Sequence, residues 1–188
     1  TAGVAGTLTL TGAAALGGGA YTCDITGLTS TACDKIAAGG AVAAGSTLTI
    51  NLSTSAPSGF DACTSYSWTI MSGSSASAAN MVIGTKWSSS GTFAVSASGN
   101  TIVVTHTPGA PSAPTLAATD GTSTTQVGLS WNDVSCETGY VVYRNTVDTY
   151  GTATALYTNA ANAVTYNDTT ATAGTLYYYW VAATNVGG

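Results

Sequence analysis

The stretch from Thr175 to Asn185 (TLYYYWVAATN) constrains most strongly what this chain can fold into. Aromatic, β-branched and small residues alternate through it with a period of two, which predicts a β-strand packed on at least one face. The face that we expect to point inward carries four residues: Tyr177, Tyr179, Val181 and Ala183. A strand of this kind needs a sheet beside it, so the pattern favours β structure for the surrounding chain.

Composition supports β structure and excludes several classes of function. Only 6% of the 188 residues are charged, 45% are apolar, and the net charge is −5. Three basic residues (Lys35, Lys86 and Arg144) cannot form the positive surface that neutralises phosphates, so we expect no nucleic-acid partner. No apolar run approaches the roughly 20 residues of a membrane-spanning helix, so we expect no membrane insertion.

Turn signals and alternation divide the chain into segments. Residues 1–44, rich in Ala, Gly and Thr, are predicted to form an N-terminal extension. Short alternating segments at a spacing of about 8–12 residues predict an Ig-like β-sandwich over residues 45–107, with Trp68 in its core. A proline-rich linker spans residues 108–114, and a second sandwich spans residues 115–188. The expected fold class is therefore all-β, with two sandwiches in tandem.

Residues 111–185 carry motifs that resemble a bacterial fibronectin type III domain. These are Trp131, the Tyr-Val-Val-Tyr-Arg segment 140–144, the Tyr-Asn-Asp-Thr segment 166–169, and the Tyr-rich strand at 175–185. They occur in the family's order and at fitting spacing. The resemblance implies a fibronectin type III fold, whereas the match of residues 45–107 to an Ig-like core is looser.

The resemblance also implies roles for individual residues. Trp131 and Tyr143 match core positions, and Tyr177 matches the tyrosine-corner position, whose hydroxyl bonds to nearby backbone. The family has a seventh strand after this point, but the sequence stops at Gly188. We therefore expect the Tyr-rich strand to expose a backbone edge beside an open groove, formed by the inward face named above.

An alternating segment near the start of the chain could fill such a groove. Val4, Gly6, Leu8 and Leu10 lie on one face of a predicted strand. Supplied by a second copy, this strand would complete the groove, and repetition of the contact would build a filament. The chain thus resembles subunits of bacterial or archaeal surface filaments that assemble by strand donation. We expect a secreted structural protein whose partner is itself.

Four cysteines favour disulfides in an oxidising compartment, because their spacing lacks the paired pattern of zinc ligands. Cys23 and Cys33 enclose a short loop and are predicted to pair with each other. Cys63 and Cys136 would then form a second disulfide, joining the two predicted domains. The alternative for Cys63 and Cys136 is two buried free thiols.

We expect no enzymatic activity, no cofactor and no metal site. His106 is the only histidine, the carboxylates are scattered, and no serine lies in a nucleophile-elbow motif. Asn51 and Asn167 each begin an Asn-x-Ser/Thr triplet and could be glycosylated.

Two other interpretations stay open. Trp87, Tyr150 and Trp180 could form an aromatic platform for sugars, or could be core residues. The chain could also be a spacer or binding module, with tandem domains from a secreted adhesin or polysaccharide-degrading enzyme. In that case the seventh strand would lie beyond Gly188 in a longer protein.

Overall fold

The regular secondary structure of the described residues is β-strand apart from one short 3₁₀-helix, which confirms the all-β class. The computed structural model describes residues 4–87, 89–119 and 121–188. Two compact units are formed, Thr1–Pro108 and Gly109–Gly188. The first unit contains ten strands: β1 (Thr7–Leu10), β2 (Ala14–Leu16), β3 (Gly19–Cys23), β4 (Lys35–Ala38), β5 (Val42–Ala44), β6 (Leu48–Leu52), β7 (Tyr66–Ser72), β8 (Met81–Ile83), β9 (Thr92–Ser98) and β10 (Thr101–Thr107).

The second unit contains six strands and one short 3₁₀-helix, Tyr150–Thr152. Its strands are β11 (Leu116–Ala118), β12 (Val127–Trp131), β13 (Gly139–Asn145), β14 (Thr154–Ala160), β15 (Thr165–Asp168) and β16 (Tyr178–Thr184).

The first unit winds in successive parallel coils. Strands β1, β2 and β3 form the first coil, and they pair in parallel with β4, β5 and β6 of the second. The second coil pairs in parallel with β7 and β8 of the third, and a single parallel bridge joins Val42 to Ala76 between them. An antiparallel hairpin of β9 and β10 closes the long sheet beside β7. The backbone of each coil is thereby hydrogen-bonded to that of the next.

Apolar residues stack in columns through the coils. Leu8 pairs with Ile36, which pairs with Met71. Small residues occupy the corners, where consecutive coils approach most closely. A Cβ atom on Gly73 would collide with the carbonyl oxygen of Gly40, so only glycine fits there. The Ala- and Gly-rich composition of this region therefore reflects close backbone stacking.

This winding corrects the predicted boundaries. Residues 4–44 are not a separate extension: they supply the first coil and two of the three strands of the second, and they belong to the same unit as residues 45–107. The parallel pairing also differs from the pairing expected of an Ig-like sandwich over residues 45–107. Gly109–Pro114, predicted as linker, belongs to the second unit.

The core of the first unit is centred on aromatic rings. Trp68 is fully buried, and its indole nitrogen donates a 2.9 Å hydrogen bond to the carbonyl of Gly27. His106 is also buried, with its ring 4.9 Å from that of Phe93. The Nδ1 of His106 lies 3.0 Å from the carbonyl oxygen of Thr64, and since a carbonyl only accepts, Nδ1 carries the proton. Both contacts hold His106 in a structural position.

The second unit is a two-layer sandwich of antiparallel sheets. One sheet has the order β11-β12-β15 and the other β14-β13-β16. Between them lie four buried residues: Leu129, Trp131, Tyr140 and Val142. This pairing is that of an Fn3-like β-sandwich, as the motifs implied.

One core assignment is wrong. Tyr143 does not belong to the core, because Tyr140 and Val142 point inward and Tyr143 lies on the opposite face, where its ring contacts that of Tyr150. The buried tyrosine of this strand is Tyr140, whose hydroxyl donates to Asp133 at 2.7 Å.

A buried carboxylate joins the two sheets of the sandwich. Asp168 is fully buried and accepts hydrogen bonds from Arg144 at 2.7 Å and Tyr179 at 2.9 Å. Its other oxygen accepts from the backbone and the hydroxyl of Thr170. Burial alone would raise the pKa of Asp168, but these hydrogen bonds outweigh burial, and the net effect lowers the pKa.

We expect Asp168→Asn to destabilise the second unit by about 3 kcal/mol, because Arg144 would keep its charge without a partner. Since folding lowers the pKa of Asp168, its contribution is complete above its unfolded value of about 3.9 and is lost as the pH falls through the lower folded value. Urea unfolding between pH 3 and pH 7 tests both points. The exposed Asp148→Asn serves as control, and equal stability of the two variants at neutral pH would refute the assignment.

Candidate strand-binding edge

Strand β16 has a neighbour on one side only in the part of the chain that the structure describes. It forms seven antiparallel pairs with β13, from Gly139 opposite Thr184 to Asn145 opposite Tyr178, and it ends the sheet β14-β13-β16. Tyr177 lies just before it, where its hydroxyl accepts a 3.4 Å hydrogen bond from the backbone N–H of Thr172. This geometry matches the expected tyrosine corner.

The two faces of β16 have different environments. Tyr179, Val181 and Ala183 pack against the core of the sandwich. Tyr178 and Trp180 lie on the outer face and stack on each other with ring centroids 6.5 Å apart. All seven residues of β16 are only half-buried, because the sheet offers no cover on the open side. Of the four predicted groove residues, three therefore lie on the inward face of the edge strand, and Tyr177 precedes it.

A cavity of about 340 Å³ lies along this open side. One wall is formed by residues 111–113 and the other by residues 180–183, with Tyr150 at one end. None of these residues is charged. The segment at 111–113 is held near β16 because Asn185 donates a 2.8 Å hydrogen bond to the carbonyl of Gly109. The sequence did not predict this wall, since prolines at 111 and 114 are equally typical of a free linker.

The predicted donor segment is an edge strand in its own unit. Residues 7–10 form β1, which pairs in parallel with β4 and has no neighbour on its other side among the described residues. The segment is therefore paired along one edge within its own subunit. Its apolar face is nonetheless poorly covered, because Val4 is 96% and Leu8 58% exposed, while Leu10 packs against the core.

Asp34 holds the start of this segment. Its Oδ1 accepts a 2.8 Å hydrogen bond from the backbone N–H of Gly6, and its Oδ2 accepts one from Asp24 at 3.2 Å. The N–H of Lys35 donates to the carbonyl of Gly6 at 2.9 Å. Asp34 thus connects three chain segments. Asp34 and Gly6 are 28 residues apart, so the sequence carries no local signal for this contact.

An aromatic strip covers the outer face of the sheet β14-β13-β16. The ring of Tyr150 lies 5.2 Å from that of Tyr143 and 6.0 Å from that of Trp180. Tyr178 extends the strip beyond Trp180. Two members of the predicted sugar platform, Tyr150 and Trp180, are therefore neighbours. Trp87 is buried in the core of the first unit instead.

Two of the four cysteines are disulfide-bonded and two are free thiols. Cys63 and Cys136 are each disulfide-bonded and so are not the free thiols of the alternative interpretation. Cys23 and Cys33 are free thiols, so the predicted disulfide between them is not formed in this structure. They nevertheless belong to the same buried cluster, where the Cys23 thiol donates to the carbonyl of Asp34 and the Cys33 thiol to that of Thr69, both at 3.3 Å.

Groupings typical of catalytic or metal centres do not emerge from the described residues. Ser89 Oγ lies 2.8 Å from Nε2 of His106, but the ring's other nitrogen bonds a backbone carbonyl, and the histidine is buried in an aromatic core. No group of three or more His, Cys, Asp or Glu side chains within residues 4–87, 89–119 and 121–188 could hold a metal ion. No helix in these ranges has the length and apolar character to span a membrane.

Comparison with solved structures finds a likeness for part of the chain. The chain is similar to a solved Fn3-like protein from Clostridium thermocellum, with 35% sequence identity and a TM-score of 0.38. The match covers 42% of this chain and 81% of the other. No protein-family model and no curated protein matches the chain.

If the outer side of β16 is open, its backbone amides should show two behaviours. We expect alternate amides of Tyr178–Thr184 to exchange slowly, because they bond to β13, and the intervening ones to exchange quickly. Amide exchange followed by NMR in dilute solution tests this. Val141 and Val142 in β13, which has partners on both sides, provide the slow reference. Uniform protection along β16 would mean that its second edge is covered.

Proposed function

We propose that this protein is the structural subunit of an extracellular filament. In this filament, segment 4–10 of one copy adds as a β-strand along the open edge of β16 in the next copy. The observation that carries the proposal is the open edge of β16 beside an uncharged cavity. Exposed strand edges next to apolar grooves are typical sites of strand addition.

The two edges match in length and character. Segment 4–10 has seven residues, and β16 also has seven. Neither stretch carries a charged side chain, so pairing them leaves no charge buried without a partner. The inward face of β16 presents Tyr179, Val181 and Ala183, which are apolar like the alternating face of the segment.

Burial of exposed apolar groups provides the driving force. Val4 and Leu8 are largely exposed in the single copy. Covering each would contribute about 1.5–3 kcal/mol, less the cost of ordering the segment and joining two molecules. New backbone hydrogen bonds along β16 would fix the register, because a slip of one residue would place threonines on the apolar side.

The donor and acceptor edges lie on different units, β1 in the first and β16 in the second. A contact between unlike surfaces leaves one donor and one acceptor free after every addition. Such a contact repeats head to tail, and it gives a filament when the rotation between neighbours does not close a ring.

Disulfide bonding and the scarcity of basic residues are consistent with an extracellular location. The disulfide-bonded state of Cys63 and of Cys136 is compatible with an oxidising compartment. With three Lys and Arg residues in 188, the chain offers few sites to proteases that cleave after basic residues.

Leu8→Asp should abolish filament formation while leaving the fold intact. Leu8 is 58% exposed in the single copy, so a carboxylate is tolerated there, but it would be desolvated against β16 of a neighbour. The matched control is Thr9→Asp, which adds the same charge at the next, also exposed position on the other face of β1. Electron microscopy and sedimentation measure assembly. Filaments of normal length from Leu8→Asp would disprove the donor role of this segment.

The aromatic strip favours a second candidate function, that of a module that binds neutral polysaccharide. Contiguous aromatic rings on a surface usually mark an interaction site. Tyr150 is 51% exposed, and its ring lies against Trp180. Sugar rings present C–H groups that stack on aromatic faces and hydroxyls that bond to polar groups. The uncharged surroundings fit a neutral polymer better than an ionic one.

This second function predicts retardation of the protein in native gels that contain hydroxyethyl cellulose. Tyr150→Ala should weaken the retardation several-fold, since it removes the most exposed ring of the strip. Tyr157→Ala provides a control of similar exposure in the same unit, because Tyr157 is 45% exposed and stacks on Tyr166 instead. Equal mobility of the wild type with and without the polymer would eliminate this candidate, as would equal effects of the two variants.

A further inference from the structure

Two free thiols lie in contact at the base of a surface loop in the first unit. Cys23 ends β3, and Cys33 lies two residues before β4. A backbone bridge between Ile25 and Cys33 and a 3.0 Å hydrogen bond from Asp34 N–H to the Asp24 carbonyl hold the two chain segments together. Cys23 is 0% and Cys33 3% exposed.

The two thiols differ in their readiness to ionise. Interaction with the Cys23 side chain lowers the pKa of Cys33, although burial and the negative charge of Asp34 oppose this effect, whereas interaction with the Cys33 side chain and burial raise the pKa of Cys23. The positive charge of Lys35 also favours the Cys33 thiolate. Cys33 is therefore the more nucleophilic sulfur, because the thiolate is the reactive form.

We propose that Cys23 and Cys33 form a redox-active dithiol that a small disulfide, such as oxidised glutathione, converts reversibly to an intramolecular disulfide. The Cys33 thiolate attacks one sulfur of the reagent, forming a mixed disulfide and releasing one glutathione thiolate. Cys23, after losing its proton, then attacks the Cys33 sulfur and releases the second glutathione thiolate. The two cysteines lose two electrons and two protons, and the reagent takes up both.

The loop between the cysteines provides the route of access. Residues 28–31 are exposed, although the thiols beneath them are buried. Three hydrogen bonds anchor the loop to β7: the Trp68 indole donates to the Gly27 carbonyl, the Thr69 N–H to the Ser30 carbonyl, and the Cys33 thiol to the Thr69 carbonyl. Local opening of this loop exposes Cys33 without unfolding the coils.

Closure of the disulfide would also strengthen the position of Asp34. The carbonyl of Asp34 accepts a 3.3 Å hydrogen bond from the Cys23 thiol, and its carboxylate binds Gly6 and Asp24. A covalent link between Cys23 and Cys33 ties together the two segments that Asp34 bridges. The start of β1 should then exchange its amides more slowly. This oxidation chemistry does not depend on the proposed filament.

The positions of the basic residues allow a direct test on the full chain. Cleavage after Lys35 releases residues 1–35, which contain Cys23 and Cys33 but not Cys63 or Cys136. The reduced-dithiol form is incubated with oxidised glutathione, quenched in acid, denatured, alkylated with N-ethylmaleimide and digested with trypsin. We expect peptide 1–35 to carry no alkyl group and to be lighter than the dithiol form by two hydrogen atoms. Two alkyl groups, or a lasting glutathione adduct, would overturn the proposal.

Two variants test the order of attack. In Cys23→Ser the second step is blocked, so Cys33 should accumulate a glutathione adduct. In Cys33→Ser the less acidic Cys23 should form far less adduct in the same time. Faster adduct formation in Cys33→Ser would overturn the assigned roles.

A third measurement isolates the response of Cys23 and Cys33 from that of the disulfide-bonded Cys63 and Cys136. In the Cys63→Ser, Cys136→Ser double variant, only Cys23 and Cys33 can respond to oxidant. Oxidation should raise the melting temperature of this variant and slow amide exchange at Gly6 and in β1. An unchanged exchange rate there would refute the link through Asp34.

Discussion

Backbone hydrogen bonding between strands is the interaction on which this protein depends. With so few charged residues, ion pairs contribute little, and the Arg144–Asp168 pair is the one salt bridge among the described residues. In the first unit, backbone N–H and C=O groups bond between stacked coils. In the second unit, they bond between the strands of two packed sheets. Both solutions leave strand edges, and the chemistry of an edge decides whether it stays solvated or takes a partner.

Local patterns predicted the second unit better than the first. The strands of the Fn3-like sandwich are marked by alternation within a few residues, and Trp131 and the Tyr-rich strand are where that alternation places them. The parallel coils depend on pairs far apart in sequence. Thr7 pairs with Lys35, 28 residues later, but Ile36 pairs with Met71, 35 residues later. An unequal repeat without a sequence motif gives no period to detect.

At the candidate strand-binding edge, too, local alternation predicted some residues and missed the contacts that depend on tertiary packing. Alternation placed Tyr179, Val181 and Ala183 on one face of β16, and the structure agrees. The family resemblance misassigned Tyr143 to the core, because β13 carries tyrosines at positions of opposite parity and Tyr140 is the one that points inward. A register irregularity beside Tyr143 also interrupts the pairing with β14. The cavity wall at residues 111–113 and the contacts of Asp34 are products of tertiary packing, which no local window of sequence contains.

The close glycine contacts at the corners of the coils limit how this unit can change in length. Gly40 and Gly73 stack where successive turns approach, so a residue inserted at either corner would disturb this contact. The connections between strands absorb differences in length, since one coil advances by 28 residues and the next by 35 without loss of the Leu8–Ile36–Met71 column. Inserting an entire turn would add one more layer, so growth of such a unit along its stack is expected to come in whole turns, while its connections vary residue by residue.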